Sequence, residues 1–172
     1  MIKPITVELM PYELDLAKYI GTKRYEEAIR QGKKDCHGFK GDGLSIHING
    51  ASGELAFAKC LNLYYSGSVN TFKEGGDVGE IQIRTRSRDD YDLIVRRHDR
   101  DNDIFVLVIG GDCTFNIYGY ILGKDAKRQE FYQTYGNRPG AFFVPKERLN
   151  SIIDLYKQTA IKQMKFLKMK AI

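Results

Sequence analysis

This 172-residue chain contains no tryptophan, only four prolines and only three cysteines. The cysteines, Cys36, Cys60 and Cys113, form no CxxC pair, which argues against both a disulfide framework and a zinc ribbon. The longest aliphatic run, residues 104–109, is far shorter than the roughly 20 residues of a membrane-spanning helix. The N-terminus also lacks the basic-then-apolar order of a signal peptide. We therefore expect an intracellular protein with no membrane partner.

Acidic residues are missing from the last part of the chain. No Asp or Glu follows Asp154, whereas five lysines do, and these lysines account for the whole formal charge of +5. This basic segment has three interpretations: an amphipathic helix that packs through an apolar stripe and exposes its lysines, an arm that flanks DNA, or, as the least favoured, a helix on a membrane surface. The predicted stripe contains Ile153, Tyr156, Ala160, Met164, Leu167 and Ala171.

With 42% apolar and 12% aromatic residues, the composition is typical of a globular protein, and the length suits a single domain. The first 35 residues have a helical pattern, and a second helix is predicted from Ser52 to about Leu63. Period-two alternation at residues 80–86 predicts a strand. Further strands are predicted at residues 68–72, 93–97, 104–109 and 115–122, and a short apolar stretch follows at 141–144. A long closing helix is predicted from about Pro145, which completes an α/β or α+β plan with a mostly antiparallel sheet.

The second helix carries a carboxylate on its apolar face. Glu54 shares a helical stripe with Ala51, Leu55, Ala58 and Leu61. An unpaired buried charge is costly, so Glu54 must be neutralised, paired or bound to a metal. The alternative is a partly exposed Glu in the first turn that complements the helix dipole.

The strand at residues 80–86 has a polar face. Its alternation sets Glu80, Gln82 and Arg84 on one side and two isoleucines on the other. A further acid, Asp77, lies at the entrance of the strand, directly after two glycines. These are either solvated charges that pair across the sheet or the members of a site.

Together these residues resemble the PD-(D/E)XK nuclease superfamily, in which a helix with a Glu precedes a sheet that carries an Asp and then an (E/Q)xK tripeptide. Glu54 in GASGELAFAKCLN resembles the helix Glu, Asp77 in GGDVG resembles the motif Asp, and Gln82-Ile83-Arg84 resembles the tripeptide. The resemblance implies a restriction-endonuclease-like core, a central mixed sheet flanked by helices, at residues 49–122.

The resemblance also divides the chain into parts. It implies one nuclease-like domain over residues 1–172, with a helical and loop region at 1–48 before the core and a basic helix at 145–172 after it. The stretches DLIV, IFVLVIG, IYGYILG and FFVP are similar to those of small phage-encoded members. We therefore expect a cytoplasmic protein of a bacterial or phage-infected cell, with DNA as partner and a homodimer as assembly.

The activity that the resemblance implies is hydrolysis of DNA by a Mg²⁺- or Mn²⁺-dependent endonuclease. The catalytic residues would be Glu54, Asp77, Gln82 and Arg84. The metal ligands would be Asp77, Glu54, Gln82, Glu80 and the main-chain carbonyl of Ile83. Such a set suits Mg²⁺, which prefers oxygen ligands, keeps several waters and needs only one or two carboxylates.

Two positions depart from the family pattern. Gln82 stands where Glu is commoner, which removes a negative charge from the metal site. Arg84 stands in place of Lys; it stays protonated and cannot act as a base, although its planar fork can bind phosphate bidentately. The alternative function is therefore a catalytically weak or inactive nuclease-fold protein that binds nucleic acid or a protein partner.

Arginines are concentrated just after the polar strand. Candidate nucleic-acid-binding residues are Arg86, Arg88, Arg96 and Arg97. A basic rim beside a metal site suits a phosphate backbone, because phosphate contacts position DNA without reading its sequence. The alternative is local pairing with the aspartates that lie among these arginines.

Overall fold

The structure is a computed structural model and describes residues 3–32, 42–69 and 76–160. The strands are β1 (Ile5–Glu8), β2 (Ile81–Arg86), β3 (Leu93–Arg96), β4 (Ile104–Gly111), β5 (Thr114–Leu122), β6 (Tyr132–Gln133) and β7 (Ala141–Val144). The helices are α1 (Pro11–Arg30), α2 (Gly43–Cys60), α3 (Gly123–Ala126) and α4 (residues 152–160), with 3₁₀ turns at Gln129–Phe131 and Lys146–Arg148. The predicted mixed α/β or α+β class is confirmed.

The strands form two sheets. The main sheet has the order β1-β5-β4-β2, in which β2 and β4 are parallel and the other pairs are antiparallel. The small sheet has the antiparallel order β3-β7-β6. The chain therefore leaves the main sheet after β2, passes through β3 in the small sheet, and returns as β4 beside β2.

Strand β4 explains the longest aliphatic run in the sequence. Val106 and Val108 face a core that contains α1, α2 and α4, which we call the helix-side core. Phe105, Leu107 and Ile109 face a second core shared with the small sheet. A central strand covered on both faces needs apolar residues at every position rather than at every second one.

A β-bulge in β5 keeps both of its halves packed. Leu107 pairs with Gly119 and Val108 pairs with Ile117, so Tyr118 is the extra residue. The bulge reverses which residues face each core: Ile117 lies in the helix-side core and Ile121 in the other.

The two long helices approach their neighbours through glycines. A Cβ added at Gly21 of α1 would lie 2.5 Å from the Ile48 Cα atom of α2. A Cβ added at Gly53 of α2 would lie 2.0 Å from Thr85 Oγ1 of β2. These contacts bring α1 onto α2 and α2 onto β2, the strand that carries Gln82-Ile83-Arg84 and that we call the motif strand.

None of the helices in the described ranges has both the length and the apolarity needed to cross a membrane.

Two predictions for the first half of the chain are wrong. The N-terminal region is not only helix and loop, because Ile5–Glu8 forms β1 and pairs with β5. Helix α2 begins at Gly43 rather than Ser52, because the Asp42 side chain caps it by accepting the Leu44 N–H at 3.0 Å. The predicted strand at 68–72 is not found at residues 68 and 69, and the remainder of it lies outside the described residues.

The prediction for the closing helix also needs correction. The chain forms a 3₁₀ turn after Pro145, and α4 begins only at residue 152. Its buried residues are Ile152 and Leu155, whereas Ile153 and Tyr156 of the predicted stripe are exposed. The stripe was placed one residue out of phase because helix residues 152–160 contain apolar side chains on both faces. The segment from 161 to 172 lies outside the described residues.

We predict opposite effects for two glycine-to-alanine changes in α2. Gly53→Ala should lower the free energy of unfolding by about 1–3 kcal/mol, because its methyl group collides with Thr85. Gly50→Ala should raise it by about 0.5–1 kcal/mol, because nothing lies within 4 Å of the added Cβ and alanine favours helix. Urea unfolding of both variants measures the difference, and equal effects would show that α2 does not pack on β2 through Gly53.

Candidate functional site

Asp77 lies in a tight turn that leads into β2. The Gly76 N–H donates to the Gly79 carbonyl at 2.8 Å, and the Asp77 N–H donates to the Ile81 carbonyl at 2.8 Å. A Cβ at Gly76 would lie 2.4 Å from the Ile81 nitrogen, and Gly79 has a φ of +62°, which favours glycine. The two glycines therefore allow the compact spacing between Asp77 and the tripeptide.

The Asp77 side chain caps the outer edge of β2. The Ile83 N–H donates to Asp77 Oδ2 at 2.7 Å. The N–H and the carbonyl of one strand residue point to the same edge, so the Ile83 carbonyl also faces outward, away from β4. The structure thus brings together two of the predicted metal ligands, the Asp77 carboxylate and the Ile83 carbonyl.

Glu54 is buried on α2, as its place in the apolar stripe predicts, and it is paired. Arg24 of α1 donates from Nη1 to Glu54 Oε1 at 2.6 Å and from Nη2 to Oε2 at 2.8 Å. The Tyr65 hydroxyl donates to Oε2 at 3.2 Å. The helix-dipole interpretation of Glu54 is wrong, because α2 begins at Gly43 and Glu54 lies far beyond its first turn.

Burial and charge act in opposite directions on this pair. Burial alone would lower the pKa of Arg24, but the hydrogen bonds and charge of Glu54 outweigh it and raise that pKa. Burial raises the pKa of Glu54, the Arg24 hydrogen bonds oppose this shift, and the nearby Asp77 charge adds to it. Burial and the Glu54 charge also raise the pKa of Tyr65, so its hydroxyl stays protonated as a donor.

Arg84 forms a second ion pair beside the motif strand. Its Nη2 atom donates to Asp99 Oδ2 at 3.1 Å. Its guanidinium carbon lies 4.9 Å from the centre of the Phe105 ring. Asp99 also accepts the Arg96 main-chain N–H at 2.8 Å, so this pair connects β2 to the turn between β3 and β4.

Asp77 lies between these two ion pairs and belongs to neither. Within the part of the chain that the structure describes, no cation lies within ion-pair distance of its carboxylate. Burial raises the pKa of Asp77, and the Asp99 charge acts in the same direction, while the Ile83 N–H and the charges of Arg84 and Arg24 oppose it. Burial is the largest of these effects, and the pKa of Asp77 therefore remains raised.

The other predicted site residues are not gathered on one face. Ile81 and Ile83 pack in the helix-side core, so Gln82 and Arg84 point to the opposite side of β2 from Glu54. Glu80 is exposed at the strand entrance. Within residues 3–32, 42–69 and 76–160, no three Asp, Glu, His or Cys side chains are placed together to hold a metal ion. The site therefore centres on one carboxylate.

The four predicted nucleic-acid-binding arginines differ in their surroundings. Arg86 is half-buried over the Tyr91 ring at 4.4 Å, and burial lowers its pKa. Arg88 is exposed and pairs with Asp90 through two hydrogen bonds of 2.9 and 2.6 Å. Arg96 and Arg97 line a pocket near the small sheet. The interpretation that these arginines pair with nearby aspartates is therefore correct for Arg88, whereas Arg96 and Arg97 lie at the pocket.

Arg24, Tyr65 and Asp99 were missed by the sequence analysis. Their contacts to Glu54 and Arg84 span between 11 and 30 positions of the chain, so no local spacing reveals them. A signal existed for Arg24: it follows Ala17, Ile20 and Gly21, the buried residues of α1, at helical spacing. It is thus the cation on the buried face of α1 and a natural partner for a buried Glu.

Comparisons of this chain with protein-family models, with curated proteins and with solved structures give no match.

We predict that Arg24→Met lowers the free energy of unfolding by about 3–5 kcal/mol, because it leaves Glu54 buried without a cation. The double variant Arg24→Met/Glu54→Met should recover most of this loss, since two apolar side chains of similar length replace the pair. Chemical denaturation of the four proteins of this cycle measures the coupling.

Arg88→Met is the matched control for that experiment. Arg88 also holds a carboxylate bidentately, but both side chains of its pair are 63% exposed. Its removal should leave the melting temperature nearly unchanged. If the Arg24 and Arg88 variants lose equal stability, the Arg24–Glu54 pair is not buried as described.

We predict that Asp77→Asn raises stability at neutral pH by about 1 kcal/mol, because it removes an uncompensated charge and keeps an oxygen to accept the Ile83 N–H. The raised pKa of Asp77 means that wild type gains stability as pH falls through that pKa. The difference in melting temperature between Asp77→Asn and wild type should therefore decrease as the pH is lowered from neutral to about pH 4.

Asp99→Asn is the control for Asp77→Asn. Asp99 also accepts a main-chain N–H but pairs with Arg84, so its neutralisation should lower stability by about 1–3 kcal/mol. A destabilised Asp77→Asn would show that the Asp77 charge is compensated.

Proposed function

We propose that this protein binds a divalent metal ion at Asp77 and hydrolyses phosphodiester bonds of DNA. The observation that supports this most strongly is the Asp77 carboxylate itself, which is half-buried, lacks a cation partner among the described residues and faces the outer edge of the motif strand. A partly buried carboxylate without a cation partner is stabilised by a proton or by a metal ion. The resemblance to the PD-(D/E)XK motif favours the metal.

The donors at this edge fit Mg²⁺ or Mn²⁺. The Asp77 carboxylate and the Ile83 carbonyl are both oxygen ligands, and Mg²⁺ binds through one or two carboxylates together with water and substrate phosphates. Glu54 is held by Arg24 through both oxygens, so in the proposal it fixes α2 against α1 and does not bind the metal. A metal ion in this position supplies an activated water and stabilises charge on the phosphate.

The remaining residues of the proposal bind and orient. Arg84 is a permanent cation, fixed by Asp99 and by the Phe105 ring, and its free N–H groups suit a phosphate oxygen. Arg86 extends the basic surface along the same face of β2. Gln82 shares this face and offers an amide to the DNA backbone, while the exposed Glu80 lies at its entrance.

The proposal includes the setting that the resemblance implies. DNA is the partner, the cytoplasm of a bacterial or phage-infected cell is the location, and a homodimer is the assembly. Sedimentation velocity of the purified chain measures the assembly directly.

The second candidate function is DNA binding without cleavage. It is favoured by the two ion pairs, because Arg24 occupies both Glu54 oxygens and Asp99 neutralises Arg84. In that case Asp77 is a structural cap of β2, and DNA binding does not depend on a divalent ion.

We predict that the protein nicks supercoiled plasmid with Mg²⁺ or Mn²⁺ and that Asp77→Asn lowers the rate by more than about 100-fold, because a direct ligand matters at least as much as the groups behind it. Agarose gels of a time course measure the rate.

Asp112→Asn is the control for the cleavage assay. Asp112 lies in the turn between β4 and β5 with a φ of +52°, which asparagine tolerates, so this change removes one carboxylate without strain. The Asp112→Asn variant should nick plasmid at the wild-type rate. Nicking that persists in Asp77→Asn would refute the proposed site, and DNA binding without any nicking would select the second candidate.

A further inference from the structure

A small pocket of about 210 Å³ lies beside the small sheet. It is lined by Arg96, Arg97, His98, Tyr132, Pro139 and Gly140. The lining contains two arginines and a histidine but no acid. The volume is below the roughly 300 Å³ at which pockets for drug-sized ligands begin, so the pocket suits a small anionic group.

One arginine of the pocket is held in a fixed orientation. The guanidinium carbon of Arg97 lies 4.6 Å from the centre of the Tyr132 ring. Tyr132 in turn packs against Phe142, with ring centres 5.3 Å apart. A Cβ at Gly140 would lie 2.0 Å from the Tyr132 hydroxyl, so glycine is needed where this wall closes. Stacking on the ring leaves the edge of the guanidinium fork free to bind an anion.

The carboxylate nearest to the pocket in sequence is already engaged. Asp99 accepts hydrogen bonds from Arg84 and from the Arg96 main chain. Arg97 forms no ion pair with any residue in the described ranges. The positive charge of Arg97 therefore has no partner among those residues.

The pocket is also tied to the motif strand. The turn that carries Arg96, Arg97 and His98 is anchored through Asp99 to Arg84 of β2 at 3.1 Å. The Arg84–Asp99 ion pair therefore fixes both Arg84 and the turn whose side chains line the pocket. This linkage favours a ligand that extends from the edge of β2 to the small sheet.

We propose that this pocket binds one backbone phosphate of the DNA strand that crosses the Asp77 edge. A phosphate matches the planar fork of arginine, and the turn that carries Arg97 is linked to the motif strand through the contact between Asp99 and Arg84. The inference rests on the proposed function, because it requires that the chain bind DNA, and it names where one phosphate is held.

The test is the salt dependence of DNA binding. Fluorescence anisotropy with a labelled DNA duplex, in EDTA and separately in Ca²⁺, gives the affinity over a series of NaCl concentrations. Loss of one phosphate contact lowers the slope of log K against log salt by about 0.9. We expect the slope to be lower by this amount in Arg97→Gln and to equal that of wild type in Arg97→Lys, which keeps the charge. An unchanged slope in Arg97→Gln would overturn the inference.

Arg100→Gln is the matched control. Arg100 belongs to the same turn and carries the same charge, but it pairs with Asp103 at 3.2 Å and does not line the pocket. Its slope should equal that of wild type. Equal slope changes in the Arg97 and Arg100 variants would mean that general charge, rather than the pocket, attracts DNA, and would overturn the inference. Circular dichroism of each variant checks that it is folded.

Inorganic phosphate tests the pocket by competition. At equal ionic strength, replacement of chloride by phosphate should weaken DNA binding by wild type more than by Arg97→Gln, because free phosphate and the DNA phosphate compete for the same pocket. Equal weakening of both proteins would show that DNA does not use the pocket and would overturn the inference.

Failure of this inference is separable from failure of the proposed function. Metal-dependent nicking with an unchanged slope in Arg97→Gln would leave the nuclease proposal intact and remove the pocket. A lower slope without nicking would retain the pocket and select the non-cutting candidate. Absence of DNA binding by wild type would overturn both.

Discussion

The bidentate ion pair between Arg24 and Glu54 is the interaction on which the arrangement of this protein depends. Arg24 binds both oxygens of Glu54 and also donates from Nε to the Ser68 carbonyl at 2.9 Å, so one side chain joins α1, α2 and the segment that leads toward Asp77. A buried pair adds little net stability compared with apolar residues, but separating its members is costly. The pair therefore selects one packing of the two helices, and α2 in turn sets the position of β2 through Gly53 and Thr85.

The second constraint is the charge around Asp77. Arg24 cancels Glu54, and Arg84 cancels Asp99, which leaves one negative charge between two neutral pairs. A glutamate at residue 82 would not place its negative charge beside Asp77 and Glu54, because residue 82 points to the other side of β2 from Glu54. An amide at residue 82 therefore leaves the charge around Asp77 unchanged. Among the described residues no cation lies within ion-pair distance of Asp77, so the local negative charge there is that of a single carboxylate.

The sequence predicted the parts of the fold that follow from local patterns. The alternation in β2 and the double-faced apolar run of β4 were found because each pattern is complete within one strand. Strand β1 was missed because its four residues gain their partners only from β5, more than a hundred positions away. The start of α2 was missed because Gly43 and Gly50, which precede Ser52, are poor helix formers, whereas the helix begins at Gly43 with a cap from the Asp42 side chain. In the candidate site, the strand that carries Gln82 and Arg84 and the burial of Glu54 were predictable, but the ion-pair partners of Glu54 and Arg84 depend on tertiary contacts.

Arg84 connects the two halves of the proposed site, and its chemistry explains why arginine suits this position. A lysine there would offer one point charge, which could serve either Asp99 or a phosphate. The guanidinium has five donors in a plane, and the one contact to Asp99 leaves others available. Arg84 therefore joins β2 to the turn that carries Arg97 through a single hydrogen bond, from Nη2 to Asp99 Oδ2 at 3.1 Å. Arg97 forms no ion pair with any of the described residues, so in the proposed site the excess negative charge lies at Asp77 and the excess positive charge lies beside the small sheet.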